Sequence, residues 1–241
     1  MRGLAHVGVL SVLIQAGVPI DYVAGSSVGS LIGAILASGG SLPEIVSRSK
    51  SIRWQHLVSP DWTGRGMLSF ARMERWLVEL LGDLTFADLN LPLAVVTTDM
   101  ETGEPCVFRE GRLAPVVRAS CSVPGFIAPV DLGGRTLGDG SLVDTVPVGV
   151  LREMGAEYVI GVDILRTKLR KTLGVIGYGF AAMETLVRHA GGGVAAADCL
   201  ISPDLGGATY LRFSKAPDLI ARGERAAQER LPEICAALGL E

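Results

Sequence analysis

The sequence predicts an α/β fold, a three-layer α/β/α sandwich around a central, mostly parallel sheet, and three observations carry that expectation. Short apolar runs of strand length alternate with helix-like segments along the chain. Hydrophobic residues make up 49% of it and glycine occurs 31 times in 241 residues, a composition suited to buried strands packed closely against helices. A Gly-x-Ser-x-Gly pentapeptide, Gly25-Ser26-Ser27-Val28-Gly29, falls between one such apolar run and the helix-like segment that follows it. No linker, charge block or internal repeat divides the chain, so a single domain over residues 1–241 is expected.

Residues 4–16 are apolar on nearly every face, which predicts a helix enclosed by other elements and ended by Gly17-Val18-Pro19. Following Arg2, this run has the look of a secretory leader. Against that reading, His6, Gln15 and Gly17 interrupt it, no small-x-small cleavage site follows, and it is too short to span a bilayer. The expectation is a buried helix in a cytoplasmic protein. Ile20, Tyr22, Val23 and Ala24 then read as a strand, and Leu31 to Leu36 as a helix stopping at Gly39-Gly40. Residues 42–52 read as a helix with Ser41 as N-cap and Pro43 in its first turn. Residues 53–68, with Trp54, Pro60 and Trp62, read as a loop bordering a site. Phe70, Met73, Leu77, Leu80 and Leu81 recur at helical spacing with one buried stripe.

Residues 93–99 (LAVVTTD) form a buried-strand candidate, and Gly103 turns the chain into a second short strand at 106–108. A helix over 112–122 is followed by an extended path that Pro124 and Pro129 impose. Asp139 then appears between Gly138 and Gly140, directly after a short apolar stretch. Beyond it come a helix at 148–154, a buried strand at 157–164 and a helix-like run at 169–190 broken by Gly174, Gly177 and Gly179. A last strand at 199–202 precedes a closing helix over 217–238 that turns Leu219, Gly223, Ala227, Leu231 and Ile234 inward.

Charge and cysteine usage exclude some partners. Twenty-two Lys and Arg against 25 Asp and Glu give a net charge of −3 without a basic tract, so no nucleic acid is expected. The four cysteines, Cys106, Cys121, Cys199 and Cys235, are scattered, with no C-x-x-C and no histidine at metal-ligand spacing. They read as buried thiols in a reducing compartment.

The pentapeptide has the context that a nucleophile elbow requires: strand, sharp turn, helix. Its flanking glycines let the backbone turn tightly and hold a serine hydroxyl clear of the sheet at the positive end of the helix, which makes Ser27 the candidate nucleophile. A serine needs a base. In the order Ser27, Asp139, His189 a hydrolase triad is available, but His189 beside Arg188 and before Gly191-Gly192-Gly193 reads as a solvated helix-end histidine. Asp139 is the better candidate, with an ordinary Asp-Gly turn as the alternative. Desolvated in an apolar pocket, its carboxylate rises toward the working range and can serve Ser27 directly.

The elbow, Asp139-Gly140, and the blocks VVTTDMETGEPCVF, RASCSVPGFIAPV, LVDTVPVGVLREMGA and ADCLISPDLGG to LIARGERAA, in that order, resemble the patatin-like phospholipases, in particular the bacterial single-domain members, over essentially the whole chain. The resemblance implies a patatin fold and hydrolysis of fatty-acyl esters of phospholipids, lysophospholipids or neutral lipids by a Ser-Asp dyad. Ser27 would attack, Asp139 would take and return the proton, and the intermediate would be an acyl-Ser27, with no metal or organic cofactor. The motif glycines are Gly25, Gly29 and Gly140.

The chain departs from the family pattern in two places. Ser141 occupies the third position of D-G-G/A. At the start, the family carries a strand and a G-G-G-x-K/R-G loop whose N–H groups form the oxyanion hole, and Arg2-Gly3 match only the end of that loop. Arg2 and Gly3, with Val28 after the nucleophile, are therefore the candidates for that site. The domain is expected to be N-terminally incomplete and impaired relative to an upstream-extended version. One lost oxyanion donor lowers the rate by on the order of a hundred- to a thousandfold, and a missing interior strand leaves backbone groups unpaired.

The expected substrate is a lipid or acyl ester. The run 173–187, with Val175, Ile176, Phe180, Met183 and Leu186, is preceded by Arg166, Lys168, Arg170 and Lys171. This suits peripheral contact with the inner face of a membrane; a core helix with a solvated basic end is the plainer alternative. Beside the lipid acyl hydrolase stand an acyltransferase using the same acyl-serine and a catalytically silent lipid-binding protein. Head group, chain length and oligomeric state are left open.

Overall fold

The computed structural model describes residues 2–40, 54–165, 174–205 and 216–240. In chain order the elements are α1 (Leu4–Gln15), β1 (Val23–Ser26), α2 (Val28–Ala37), α3 (Trp54–Leu57), β2 (Ser59–Pro60), β3 (Leu68–Ser69), α4 (Ala71–Leu81), β4 (Leu93–Asp99), β5 (Pro105–Phe108) and α5 (Leu113–Ser120). These are followed by β6 (Val130–Leu132), β7 (Arg135–Asp139), α6 (Val148–Glu153), β8 (Ile160–Val162), α7 (Gly174–Val187), α8 (Gly193–Ala196), β9 (Cys199–Ile201) and α9 (Ala216–Leu238).

The central sheet runs β1-β4-β7-β6, with β5 also paired to β4, and β8 and β9 form a separate parallel pair. β1 is parallel to β4, whereas β5 and β7 are antiparallel to β4 and β6 is antiparallel to β7. The sheet is thus mixed where a mostly parallel one was expected. For β4–β5 and β6–β7 the reason is a short connection: β4 returns as β5 through a turn with Gly103 at φ +76°, and β6 returns as β7 through Gly133 and Gly134 at φ +58° and +77°. Such tight turns can only bring a strand back antiparallel.

β4 is buried along its whole length, and its alternating side chains feed two helical layers. Leu93 and Val95 join Leu4 and Val7 of α1, Ile32 of α2, Leu77 of α4, Leu113 of α5 and Leu219 of α9. Ala94 and Val96 instead pack with Val150 of α6. This is the α/β architecture with helices on both faces. α1 and α9 meet backbone to backbone. A Cβ added at Gly8 would fall 2.1 Å from the Ile220 carbonyl oxygen, and one added at Gly223 would fall 2.0 Å from that of Ala5.

Val95 and Val96 pair with both β1 and β5, and Thr97 and Thr98 with both β5 and β7. A strand has two edges, so β1 and β7 lie end to end along the same edge of β4. On their outer sides β1 and β8 have no strand partner among the described residues, and one cavity runs along both.

Two expectations meet the structure differently. Residues 53–68, read as loop, hold among the described residues α3, β2 and the start of β3, so the stretch is largely a hairpin. Gly177 and Gly179 do not break the 169–190 run, because α7 is one helix from Gly174 to Val187, and Gly174, at φ +78°, stands at its start. The helix expected at 42–52, with Ser41 and Pro43, and the basic cluster from Arg166 to Lys171 lie outside the described residues.

Candidate active site

The elbow is built as the motif predicts, with β1 delivering the chain to Ser27 and α2 leaving from it. Ser27 has φ +52° and ψ −129°, and among the described residues no other non-glycine residue has positive φ. Such backbone costs of order 1–3 kcal/mol and persists only where its surroundings hold it. Gly25 makes the turn possible, since a Cβ there would lie 2.4 Å from the Gly29 carbonyl carbon. Gly29 itself has open space around its Cβ position. The Ser27 carbonyl accepts from Ser30 N at 2.9 Å and from Ser30 Oγ at 2.6 Å.

Ser27 Oγ donates to Asp139 Oδ2 at 2.7 Å. The other carboxylate oxygen accepts the Ser141 N–H at 2.9 Å. The Asp139 backbone is equally held: its N–H donates to the Ser122 carbonyl at 2.9 Å, and Thr98 Oγ1 donates to its carbonyl at 2.7 Å. Gly140 allows β4 to come this close, because a Cβ there would stand 2.1 Å from the Val96 carbonyl oxygen. Asp139 is 3% exposed. Burial pushes its carboxyl up to about 6, against the opposing pull of the hydrogen bonds from Ser27 and Ser141.

Of the other expected residues, Gly3 packs directly on the elbow, where a Cβ would lie 2.1 Å from Val28 Cγ2. The Val28 and Gly29 N–H groups begin α2 and have no intrahelical acceptor. The Arg2 guanidinium pairs with Glu184 of α7 at 2.5 Å, tying the start of α1 to α7, with both side chains largely buried. His56 and His189 are exposed and neither lines the cavity. His6 does line it. Its Nδ1 stands 3.2 Å from the Gly3 carbonyl oxygen, and burial lowers its pKa from the ordinary histidine value.

Ser27 and Asp139 open into a cavity of about 1370 Å³. On the elbow side its wall is Leu31, Leu57, Leu68, Phe70, Met73 and Phe126; on the other it follows β1 and β8. Among the described residues no group of three His, Cys, Asp or Glu side chains gathers as a metal ion would require. Ser120, Ser122 and Thr98, which hold Ser27 and Asp139 by their backbones, have no role in the sequence reading. Ser120 and Ser122 fall inside the block RASCSVPGFIAPV, whose likeness to a family was visible without any task for its serines.

A serine on a strand–turn–helix elbow, a buried carboxylate hydrogen-bonded to it from the end of β7, and helices on both faces of one mixed sheet place the chain among α/β proteins. A profile of patatin-like phospholipases matches residues 1–152. The chain belongs to the patatin-like phospholipase family. It is 32% identical over 166 residues to an uncharacterized NTE family protein of Mycobacterium bovis, covering 68% of this chain and 46% of that protein. It is also 32% identical over 173 residues to patatin-like phospholipase domain-containing protein 6 of Homo sapiens, covering 68% of this chain and 12% of that one. The chain therefore spans about half or less of these relatives. In fold it is similar to VipD from Legionella pneumophila, with a TM-score of 0.69 and 14% identity over 98% of this chain and 65% of that one.

Proposed function

We propose that the chain is a serine acyl hydrolase that cleaves fatty-acyl esters of phospholipids, lysophospholipids or related lipids. The observation that carries this reading is the 2.7 Å hydrogen bond from Ser27 Oγ to a buried Asp139 at the wall of an apolar cavity. Ser27 Oγ attacks the ester carbonyl carbon while its proton passes to Asp139. A carboxylate held at about 6 accepts that proton more readily than an exposed one. The oxyanion forms at the N-terminus of α2, near the Val28 and Gly29 N–H groups and the close-packed Gly3. Asp139 returns the proton to the departing alcohol, leaving acyl-Ser27. A water that gives its proton to Asp139 then attacks the acyl carbon, and as the acyl–Oγ bond breaks Asp139 returns that proton to Ser27 Oγ, releasing the fatty acid.

The proposal includes peripheral contact with lipid surfaces. Leu57, before the β2–β3 hairpin, and Leu68 within it line the cavity, and the loop joining the two strands carries Trp62 at 91% exposure and the exposed Met67. Indole rings favour the membrane–water interface. Among the described residues no helix is long and apolar enough to cross a membrane. The buried thiols of Cys106, Cys121 and Cys199 favour a reducing, cytoplasmic setting.

Fatty-acid release from a monomeric ester and from a lysophospholipid tests the reading. Release by the wild type and none by Ser27→Ala supports it. Acyl-chain binding without release would favour a silent lipid-binding protein, and acyl transfer to an added alcohol in place of release would favour an acyltransferase.

A further inference from the structure

Ser27 keeps a left-handed backbone, and each of its polar groups is tied to a different element. Its carbonyl is held by the first turn of α2, and its hydroxyl by Asp139. Its N–H, in place of facing the cavity, donates to Ser120 Oγ at 2.9 Å. Ser120 ends α5 and is 0% exposed. Its own proton goes to the Val96 carbonyl at 2.6 Å. A carbonyl can only accept, so the direction of both bonds is fixed: Ser120 must donate to Val96 and must accept from Ser27.

Val96 is the β4 residue opposite Ser26, one position before the partner of Asp139. The hydroxyl therefore ties the nucleophile's backbone to the point of the sheet where β1 and β7 converge. Two residues further on, the Ser122 carbonyl accepts the Asp139 N–H at 2.9 Å. One short segment at the end of α5 thus grips both reacting residues, Ser27 through a side chain and Asp139 through backbone.

We propose that Ser120 is a positioning residue, whose hydroxyl holds Ser27 in its left-handed conformation at hydrogen-bonding distance from Asp139. This rests on the Ser-Asp reading above. It also assigns the Ser27 N–H to the protein interior, leaving oxyanion stabilisation to Val28, Gly29 and the Gly3 side. Ser120→Ala removes the acceptor and leaves the Ser27 N–H and the Val96 carbonyl to find other partners. A displacement of about 1 Å in a reacting group lowers rate by on the order of a hundredfold.

The test compares wild type, Ser120→Ala, and the isosteric pair Ser120→Thr and Ser120→Val, which differ by one hydroxyl. Turnover of a soluble ester, the rate of labelling by a fluorophosphonate, and thermal melting are followed together. Ser120→Ala and Ser120→Val are expected to lose about ten- to a hundredfold in kcat and in labelling rate with KM little changed, and Ser120→Thr to recover most of the loss. The acid limb of the pH profile moves upward in the two variants without hydroxyl, because Asp139 loses hold of the Ser27 proton that keeps its carboxyl down. A purely structural serine would lower the melting temperature and leave that limb in place. If Ser120→Ala does not fold, the Thr and Val pair carries the comparison. Equal labelling rates and an unmoved acid limb in folded Ser120→Ala or Ser120→Val would overturn the proposal alone, whereas a wild type that takes no label would overturn the dyad reading and this inference with it.

Discussion

Ser26 and Asp139 stand opposite successive residues of β4, Val96 and Thr97, on the same edge of that strand. β1 runs up that edge in parallel and stops; β7 runs down it antiparallel and stops at the same place. The residue after Ser26 is the proposed nucleophile, so Ser27 and Asp139, 112 positions apart in sequence, are brought together by sheet register. A slip of one residue in either strand would turn its side chains to the other face and separate the pair.

Asp139 sets two pH dependences. As the base it must be ionised, so kcat/KM for a soluble ester should fall below about pH 6, and a limb near the ordinary carboxylate value would contradict the burial argument. Its effect on stability has the opposite sense to that of a salt-bridged aspartate. Between about pH 4 and 6 the folded protein keeps a proton that the unfolded chain has released, so this group's contribution to stability falls as pH rises through that window. The raised value corresponds to on the order of 3 kcal/mol above pH 6. In urea unfolding, Asp139→Asn should match the wild type near pH 4 and exceed it by up to about 3 kcal/mol at pH 7.

The two glycines of the elbow should separate under substitution. Gly25→Ala puts a methyl against the Gly29 backbone, where nothing flexible can yield, so the turn must open and labelling at Ser27 should be lost. Gly29→Ala meets empty space in the first turn of a helix, and alanine is favoured over glycine there by up to about 1 kcal/mol. Its melting temperature should equal or exceed that of the wild type.

Trp62 provides the test of surface contact. Removing a large aromatic from a bilayer interface loses about 1.5–3 kcal/mol, or on the order of tenfold to a hundredfold in affinity. Co-sedimentation with phosphatidylcholine vesicles should weaken by that factor in Trp62→Ala, while hydrolysis of a soluble monomeric ester stays at the wild-type rate. Undiminished vesicle binding would remove the hairpin from the account.

Much of this was legible in the sequence, and the exceptions have physical reasons. The Gly25-to-Gly29 turn and the Gly-flanked Asp139 are local signals, since a side chain at Gly25 or Gly140 would meet backbone in close contact, and the strand–turn–helix read from the first is the one the structure has. The turn at Gly103 into a second strand was legible, but the direction of β7 beside β4 was not, because an apolar run such as residues 93–99 is equally suited to parallel or antiparallel neighbours and no tight turn joins the two. Ser120 and Ser122 left no mark either. A buried serine at a helix end has no distinctive pattern, and its partners here are backbone groups of Ser27, Val96 and Asp139, contributed by distant segments. The meeting of Gly3 with Val28 was expected only through the family resemblance, because no local pattern pairs the start of α1 with the start of α2.

The central claim is that Ser27 is a nucleophile activated by Asp139, and covalent labelling by a fluorophosphonate with intact-mass detection tests it most directly. The account predicts one adduct on the wild type, none on Ser27→Ala and a sharply slower reaction on Asp139→Asn. An adduct that persists in Ser27→Ala, or no adduct on a folded wild type, would contradict it.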